Sequence, residues 1–382
     1  MMAVHIVWWT SSMDAPARGY WDQGLVEDLL SGAMWPPVRP WQPVHHDGFA
    51  SLPDGTGAIV VCPGGKETDA VALNEVMAAL PWVLVMITTD EGGGFPWRDV
   101  AHPRMAIWVQ TPVGDTEGIE VVLPVGYPPN RHRVEYAGHR PAMWAFLGQM
   151  THHRRTEAIE AMEKIEPLDC IYSPTYGFAK GIEPEAYMDA MSSADLALCP
   201  GGVLTPDTFR VWEALIAGCV PIVDARSAER EPSNNYWTTV FAGWMDPPWP
   251  IIDDWSTLAD ELEPIEKRWS WHASRSEAHW MGYRRHLVRS IEATIQRLSG
   301  EAAPEATTSD LITIVVTMSP IPSHPSIDVL AETLASLWAS GLDKCDVLVA
   351  IDGVRAEQEH RRQDYDEAIA ALIERCRLDP DW

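Results

Sequence analysis

Arg210 and Glu213 stand three residues apart, a spacing that puts both on one face of a helix. A guanidinium suits a diphosphate, and a carboxylate can accept both hydroxyls of a ribose. Just upstream, Pro200-Gly201-Gly202 breaks the chain after the apolar run from Leu196 to Cys199, which reads as a buried strand. Thr205 and Pro206 read as the N-cap and first position of the helix that carries the arginine and the glutamate. Gly218 ends that helix, and Val220-Pro221-Ile222-Val223 starts the next strand. The product is a βαβ unit whose helix N-terminus favours phosphate through free N–H groups and the helix dipole. A glycine loop before a helix occurs in any α/β domain; Arg210 and Glu213 together point it towards a nucleotide-sugar.

The elements that must position these groups are legible along most of the chain. Val4 to Trp9, Ala58 to Cys62, Trp82 to Thr88, Ala106 to Gln110 and Glu120 to Leu123 read as strands. Trp21 to Leu30 and residues 69–80 read as helices, and residues 33–56 as irregular. Strands alternating with helices predict a parallel sheet covered on both faces. Residues 124–141, rich in Pro, Gly, Arg and His, mark a boundary, and a second βα series follows from 142 to about 260. Residues 264–299 form one long helix. Gly300 to Ser309 is a linker by composition. Beyond it come a strand at Leu311 to Thr317, a helix at Ser326 to Ser340 and a strand at Val347 to Ile351 that closes on Asp352-Gly353. The expected domains are therefore 1–141, 142–299 and 310–382.

Composition narrows the function classes. The 382 residues allow two or three domains. A net charge of −27 disfavours a nucleic-acid partner, which would need clustered Lys and Arg. The six cysteines are scattered without metal spacing, as in a reducing compartment. The N-terminus MMAVHIVWWT has no basic n-region, and no stretch reaches the roughly 18 apolar residues of a membrane span. The expectation is a cytoplasmic chain with no membrane span. Nineteen tryptophans are expected mostly in the core, with loop residues such as Trp244 and Trp249 able to stack on sugar faces. His5, His45 and His46 read as structural or surface residues.

Three segments carry a family resemblance. Pro200-Gly201-Gly202, then Phe209-Arg210-Val211-Trp212-Glu213-Ala214-Leu215, then Ala217-Gly218-Cys219-Val220-Pro221-Ile222-Val223 resemble the nucleotide-binding signature of exostosin-type glycosyltransferases. Trp144 to Gln149 with Arg154-Arg155 resembles that family's first donor-domain strand and basic turn, and Tyr187 to Asp195 its helix into the signature. Gly202 and Phe209 stand where the family has a charged or small residue and a serine. The resemblance covers about residues 142–225 and implies the GT-B fold: two Rossmann-like domains facing a cleft, the last long helix crossing back onto the first. It implies a nucleotide-sugar donor, taken here as a UDP-sugar substrate, no cofactor and no metal, with inversion at the anomeric carbon. The implied donor-binding residues are Arg154, Arg155, Pro200, Gly201, Gly202, Thr205, Arg210 and Glu213. The implied acceptor is a glycan, protein or small molecule.

The resemblance also asks for a base on a first-domain loop, at the C-terminal end of a strand. Asp14 and Asp22 follow strand one, and Asp90-Glu91 precede Gly92-Gly93-Gly94, whose freedom would let the loop close. Asp14 reads equally as a helix cap and Asp22 as a surface residue. His152-His153 lack a third metal ligand, so Arg154 or Arg155 would offset leaving-group charge unless that turn is an ordinary helix start. Residues 310–382 resemble the opening of a GT-A glycosyltransferase without its metal-binding acidic motif, or are a plain βαβ appendage. A catalytically inactive nucleotide-sugar-binding module and a nucleotide-sugar epimerase remain the alternative functions.

Overall fold

In the computed structural model the chain divides into two compact units, Met1–Ala302 and Ala303–Trp382. The structure describes residues 2–11, 18–31, 41–65, 69–90, 95–129, 140–165, 169–176, 181–229, 236–266, 269–300, 313–318 and 346–351.

The first unit holds two parallel sheets. Sheet one comprises β1 (Met2–Trp8), β2 (Trp41–Asp47), β3 (Ala58–Pro63), β4 (Val83–Thr88), β5 (Met105–Gln110) and β6 (Val121–Leu123), in the order β2-β1-β3-β4-β5-β6. β3 and β4 are buried along their whole length, which explains why AIVVCP and VLVMIT lack alternation: helices cover both faces. Sheet two comprises β7 (Ala142–Gln149), β8 (Cys170–Thr175), β9 (Ala194–Cys199), β10 (Val220–Asp224) and β11 (Ile251–Ile252), in the order β11-β10-β9-β7-β8. Both sheets thus repeat one doubly wound pattern, in which the first strand lies between the second and the third. The chain reverses its direction of growth there, so a crevice opens at the carboxyl ends of β7 and β9. This is the expected α/β architecture of two Rossmann-like halves.

One strand escapes the sequence reading. Residues 41–47 lie in the stretch expected to be irregular, yet they pair in parallel with β1 from Met2↔Trp41 to Trp8↔Asp47. The segment is WQPVHHD, with a proline inside it. Pro43 removes a ladder donor, which an edge strand tolerates because one of its sides has no partner.

Helices α1 (Gly24–Ser31) and α2 (Ala70–Met77) follow sheet one's strands. Helices α3 (His153–Ile165), α4 (Pro184–Ser192), α5 (Phe209–Ile216), α6 (Tyr236–Val240) and α7 (Leu258–Glu266) belong to sheet two. The long helix is α8 (Trp269–Ser299). It contacts α5, β9 and β10 of the second half and α1, β4 and β5 of the first, as the crossing requires. Trp280 and Tyr283 are buried in that crossing, and Tyr283 donates to the Val240 carbonyl at 2.6 Å. Further along, Thr294 donates to Glu120 at 2.7 Å, and Arg297 pairs with the same carboxylate. No helix among the described residues is long and apolar enough to cross a membrane.

The second unit contributes β12 (Thr313–Met318) and β13 (Asp346–Ile351), paired in parallel. Parallel neighbours need a crossover connection. The helix expected at 326–340 and the linker at 301–309 lie outside the described residues.

Arg140 ties the start of sheet two to the end of α5. Its guanidinium donates to the carbonyls of Ala194 (2.6 Å), Ala217 (3.2 Å) and Gly218 (3.0 Å). Those last two are orphan acceptors of a helix C-terminus. Arg140→Ala should cost about 1.5–3 kcal/mol, read as a lower urea midpoint with an unchanged slope. An unmoved midpoint would mean that the α5 terminus is held by packing alone.

Candidate functional site

Asp224, at the end of β10, is fully buried and accepts from five groups. Arg154 donates through Nε (3.1 Å) and Nη2 (2.5 Å), and Trp255 through Nε1 (3.1 Å). The backbone N–H groups of Gly201 (3.2 Å) and Arg226 (3.0 Å) complete the set. One carboxylate therefore fixes the glycine loop after β9, the first turn of α3 and the loop after β10. Gly201 has to be glycine here. A Cβ would lie 2.2 Å from the Arg226 carbonyl oxygen. Arg154 also donates to Glu157 at 2.9 Å, so its guanidinium serves this buried ion pair. Its neighbour Arg155 instead lines the cavity described below and donates to the Gln149 carbonyl at 2.6 Å.

Helix α5 begins three residues later than the sequence implied. Thr205 and Pro206 precede it, and Thr208 holds the N-cap position without a side-chain capping bond. The reason is Asp207. This buried carboxylate is drawn inward by the Trp212 indole (2.7 Å), the Tyr236 hydroxyl (3.0 Å) and the Val125 N–H (2.9 Å). Residues 205–208 bend to deliver it, and the helix can start only afterwards. Burial pushes the Asp207 carboxyl up to about 7 despite these bonds. The bond to Val125 also crosses from the second half to the segment after β6, tying the two halves together. Thr205 itself is buried and lines a separate cavity of about 310 Å³ with Pro112, Thr116 and Tyr236.

The main cavity, about 370 Å³, opens at the carboxyl ends of β7 and β9, at the reversal point of sheet two. Its volume falls in the range of small-ligand sites. Gly202, Thr208, Phe209, Arg210 and Glu213 line one wall, and Leu147, Gly148 and Gln149 the floor. Arg210 is buried, with its guanidinium 4.7 Å above the Phe146 ring and Nε donating to the Leu147 carbonyl at 3.0 Å. Its Nη1 has no hydrogen-bond partner among the described residues, and neither does the Thr208 hydroxyl. Gly148 makes room for this arginine. At φ +155° it adopts a backbone that other residues avoid, and a Cβ there would lie 2.1 Å from Arg210 Nη2. Glu213 is buried and bonds the Tyr187 hydroxyl. Burial and the Glu213 charge hold that hydroxyl well above the usual tyrosine range.

The first half supplies the opposite side. Trp21, Asp90 and Pro128 line the same cavity, and Trp21 packs on Phe209 with ring centroids 5.0 Å apart. Asp22 is buried with Oδ1 unpartnered among the described residues, and burial pushes its carboxyl up to about 6. Asp14 and Glu91 lie outside the described residues. His152 has its imidazole pushed down to about 4, by burial first and then by Arg155 and His153. Among the described residues no three His, Cys, Asp or Glu side chains are placed to hold a metal ion. Trp249, expected as a sugar platform, is buried against Phe241 and His279, and Trp244 stacks on His286. Sequence reasoning missed Tyr187 as a partner of Glu213, although the helix carrying it was recognised. It missed Asp207 and Asp224 as organisers, because no local pattern announces a carboxylate whose donors lie far away in sequence.

Residues 130–291 match the family model described as the RXYLT1 C-terminal domain, a glycosyltransferase family. The match takes in all of sheet two and most of α8. It supports a glycosyltransferase and does not single out the exostosin type. Among solved structures, a crystal structure of an α1,3-fucosyltransferase is similar at a TM-score of 0.31 and 10% identity, over 80% of this chain and 83% of that one. No curated protein sequence matches the chain.

The Asp224 network makes a stability prediction. Asp224→Asn should destabilise the first unit by about 3–5 kcal/mol, because it leaves the buried Arg154 guanidinium with only the solvent-exposed Glu157 as counter-charge. Adding Arg154→Met should recover part of the loss in thermal melts. A double variant no more stable than Asp224→Asn would show that the glycine loop, not the ion pair, carries the cost.

Proposed function

We propose that this protein transfers a sugar from a nucleotide-sugar to an acceptor hydroxyl, with inversion and without a metal ion. The observation that carries this reading is Arg210: a buried cation on a cavity wall whose Nη1 has no partner among the described residues, beside a helix N-terminus that none of the described side chains caps. A desolvated guanidinium and oriented N–H groups form a site for a diphosphate. Glu213 stands three residues on, with Tyr187 holding its carboxylate, and suits the two ribose hydroxyls. The glycosyltransferase-family match over residues 130–291 supports the same assignment. The UDP-sugar and the exostosin-type signature belong to this proposal as its finer detail.

In the proposed step the acceptor oxygen attacks the anomeric carbon while a carboxylate takes its proton. The new glycosidic bond forms as the bond from that carbon to the diphosphate oxygen breaks, and the nucleoside diphosphate leaves. A single displacement inverts the carbon. Charge grows on the leaving oxygen, so Arg210, Arg155 and the α5 N-terminus act most strongly in the transition state. In this reading the base is Asp22, which follows the cavity-lining Trp21 and has a buried Oδ1 without a partner among the described residues. Desolvation sets its carboxyl near 6, closer to neutral pH than an ordinary aspartate. Asp90, which lines the cavity itself, is the competing base.

Donor binding is tested by calorimetry with UDP. Glu213→Ala should weaken binding by about 1.5–3 kcal/mol, since the ribose hydroxyls lose a charged acceptor. Gly148→Ala should weaken it comparably by displacing the Arg210 guanidinium, and should also lower the melting temperature, because the site is crowded and its backbone disfavours a Cβ. Unchanged affinity in both variants would move the donor elsewhere.

The base is tested by transfer assays run in EDTA. The anion is the active form of Asp22, so kcat/KM should rise with pH through about 6 and level off above it. Asp22→Asn should lower kcat by about 100-fold or more and remove that inflection. If Asp90→Asn does so instead, Asp90 is the base. UDP binding without transfer to any acceptor would leave an inactive nucleotide-binding module.

A further inference from the structure

Eight of the described tryptophans are buried: Trp8, Trp108, Trp144, Trp212, Trp237, Trp249, Trp255 and Trp280. Trp21 is 49% exposed. Leaving that much indole in water forgoes burial that a core position would supply. Six other large apolar side chains are exposed among the described residues, and of these only Ile182 also lines the main cavity. Trp21 stands on the first-half side of the cavity, facing the wall built by α5. Its ring is braced by Phe209, the first residue of α5. It immediately precedes Asp22, whose buried Oδ1 has no hydrogen-bond partner among the described residues, and shares the cavity with Asp90.

We propose that Trp21 is the acceptor platform and that the acceptor is a pyranoside, stacked by its C–H face on the indole. This rests on the glycosyltransferase reading and adds the acceptor class to it. An indole face carries negative charge density, and the ring hydrogens on one face of a pyranose carry a small positive charge, so the two stack well. Stacking leaves the sugar hydroxyls at the ring edge. These are then free to reach the carboxylates of the first half, while the donor diphosphate occupies the α5 side. A peptide hydroxyl or a flexible polyol presents no such face. The wall contributed by the second half holds the donor, so discrimination between acceptors falls to Trp21.

The test is saturation-transfer NMR on the full chain, with methyl pyranosides of xylose, glucose and galactose as probes, each measured with and without UDP. At least one pyranoside should bind the wild-type chain. Trp21→Ala should weaken it about tenfold and Trp21→Phe much less. A linear polyol (ribitol) should bind no better to the wild-type chain than to Trp21→Ala. If UDP binds but no pyranoside does, or if Trp21→Ala binds the pyranoside as tightly as wild type, the platform is refuted. If UDP fails to bind while a pyranoside binds through Trp21, the donor reading fails and the platform stands. Should Trp21→Ala not fold, the difference between wild type and Trp21→Phe, with Trp21→Leu as the non-aromatic partner, decides the question.

Discussion

The Asp224 carboxylate is the constraint on which the second half depends. A carboxylate with no solvent exposure is unfavourable unless its charge is matched and its oxygens are fully bonded. Here the matching groups come from four separate segments: α3 through Arg154, the glycine loop through Gly201, the loop after β10 through Arg226 and the turn after β11 through Trp255. The glycine loop beside the cavity is therefore set by a charge that does not line it. The same network divides the labour of two adjacent arginines. Arg154 neutralises Asp224, and Arg155, one residue further round the helix, faces the cavity.

The cavity also needs the first half in place. Asp207 reaches the Val125 N–H, and α8 lies against strands of both sheets. Tyr127 meets Trp280 edge to face, and Arg284 of α8 pairs with Asp28. These contacts present Trp21 and Asp90 to the α5 wall. The aromatic cluster of Trp212, Trp237, Phe241, Trp280 and Tyr283 backs that wall from inside. Trp212 and Glu213 are neighbours on α5: the first anchors the helix in the core and donates to Asp207, while the second lines the cavity. Chemistry and packing are thus interleaved residue by residue on one short helix.

Much of this was legible in the chain itself. Two βα series, the final long helix and the loop-helix pair around Arg210 and Glu213 follow from apolar runs, glycine breaks and helical spacing. These are local signals, because a buried parallel strand must be apolar on both faces and a helix must repeat every 3.6 residues. Strand β2 was not legible. Its alternation is weak and it contains a proline, and only pairing with β1 makes it a strand.

The residue types at the site were determined by the sequence alone: a guanidinium and a carboxylate one turn apart, after a glycine loop. Their states were decided by tertiary structure. Whether Arg154 or Arg155 faces the cavity, where α5 begins, which tryptophan stays exposed and which aspartate is desolvated all depend on partners far apart in the chain. Asp207 finds Val125 82 residues away, and Arg154 finds Asp224 70 residues away. Burial and ion pairing are properties of the space between segments, and no local pattern encodes that space.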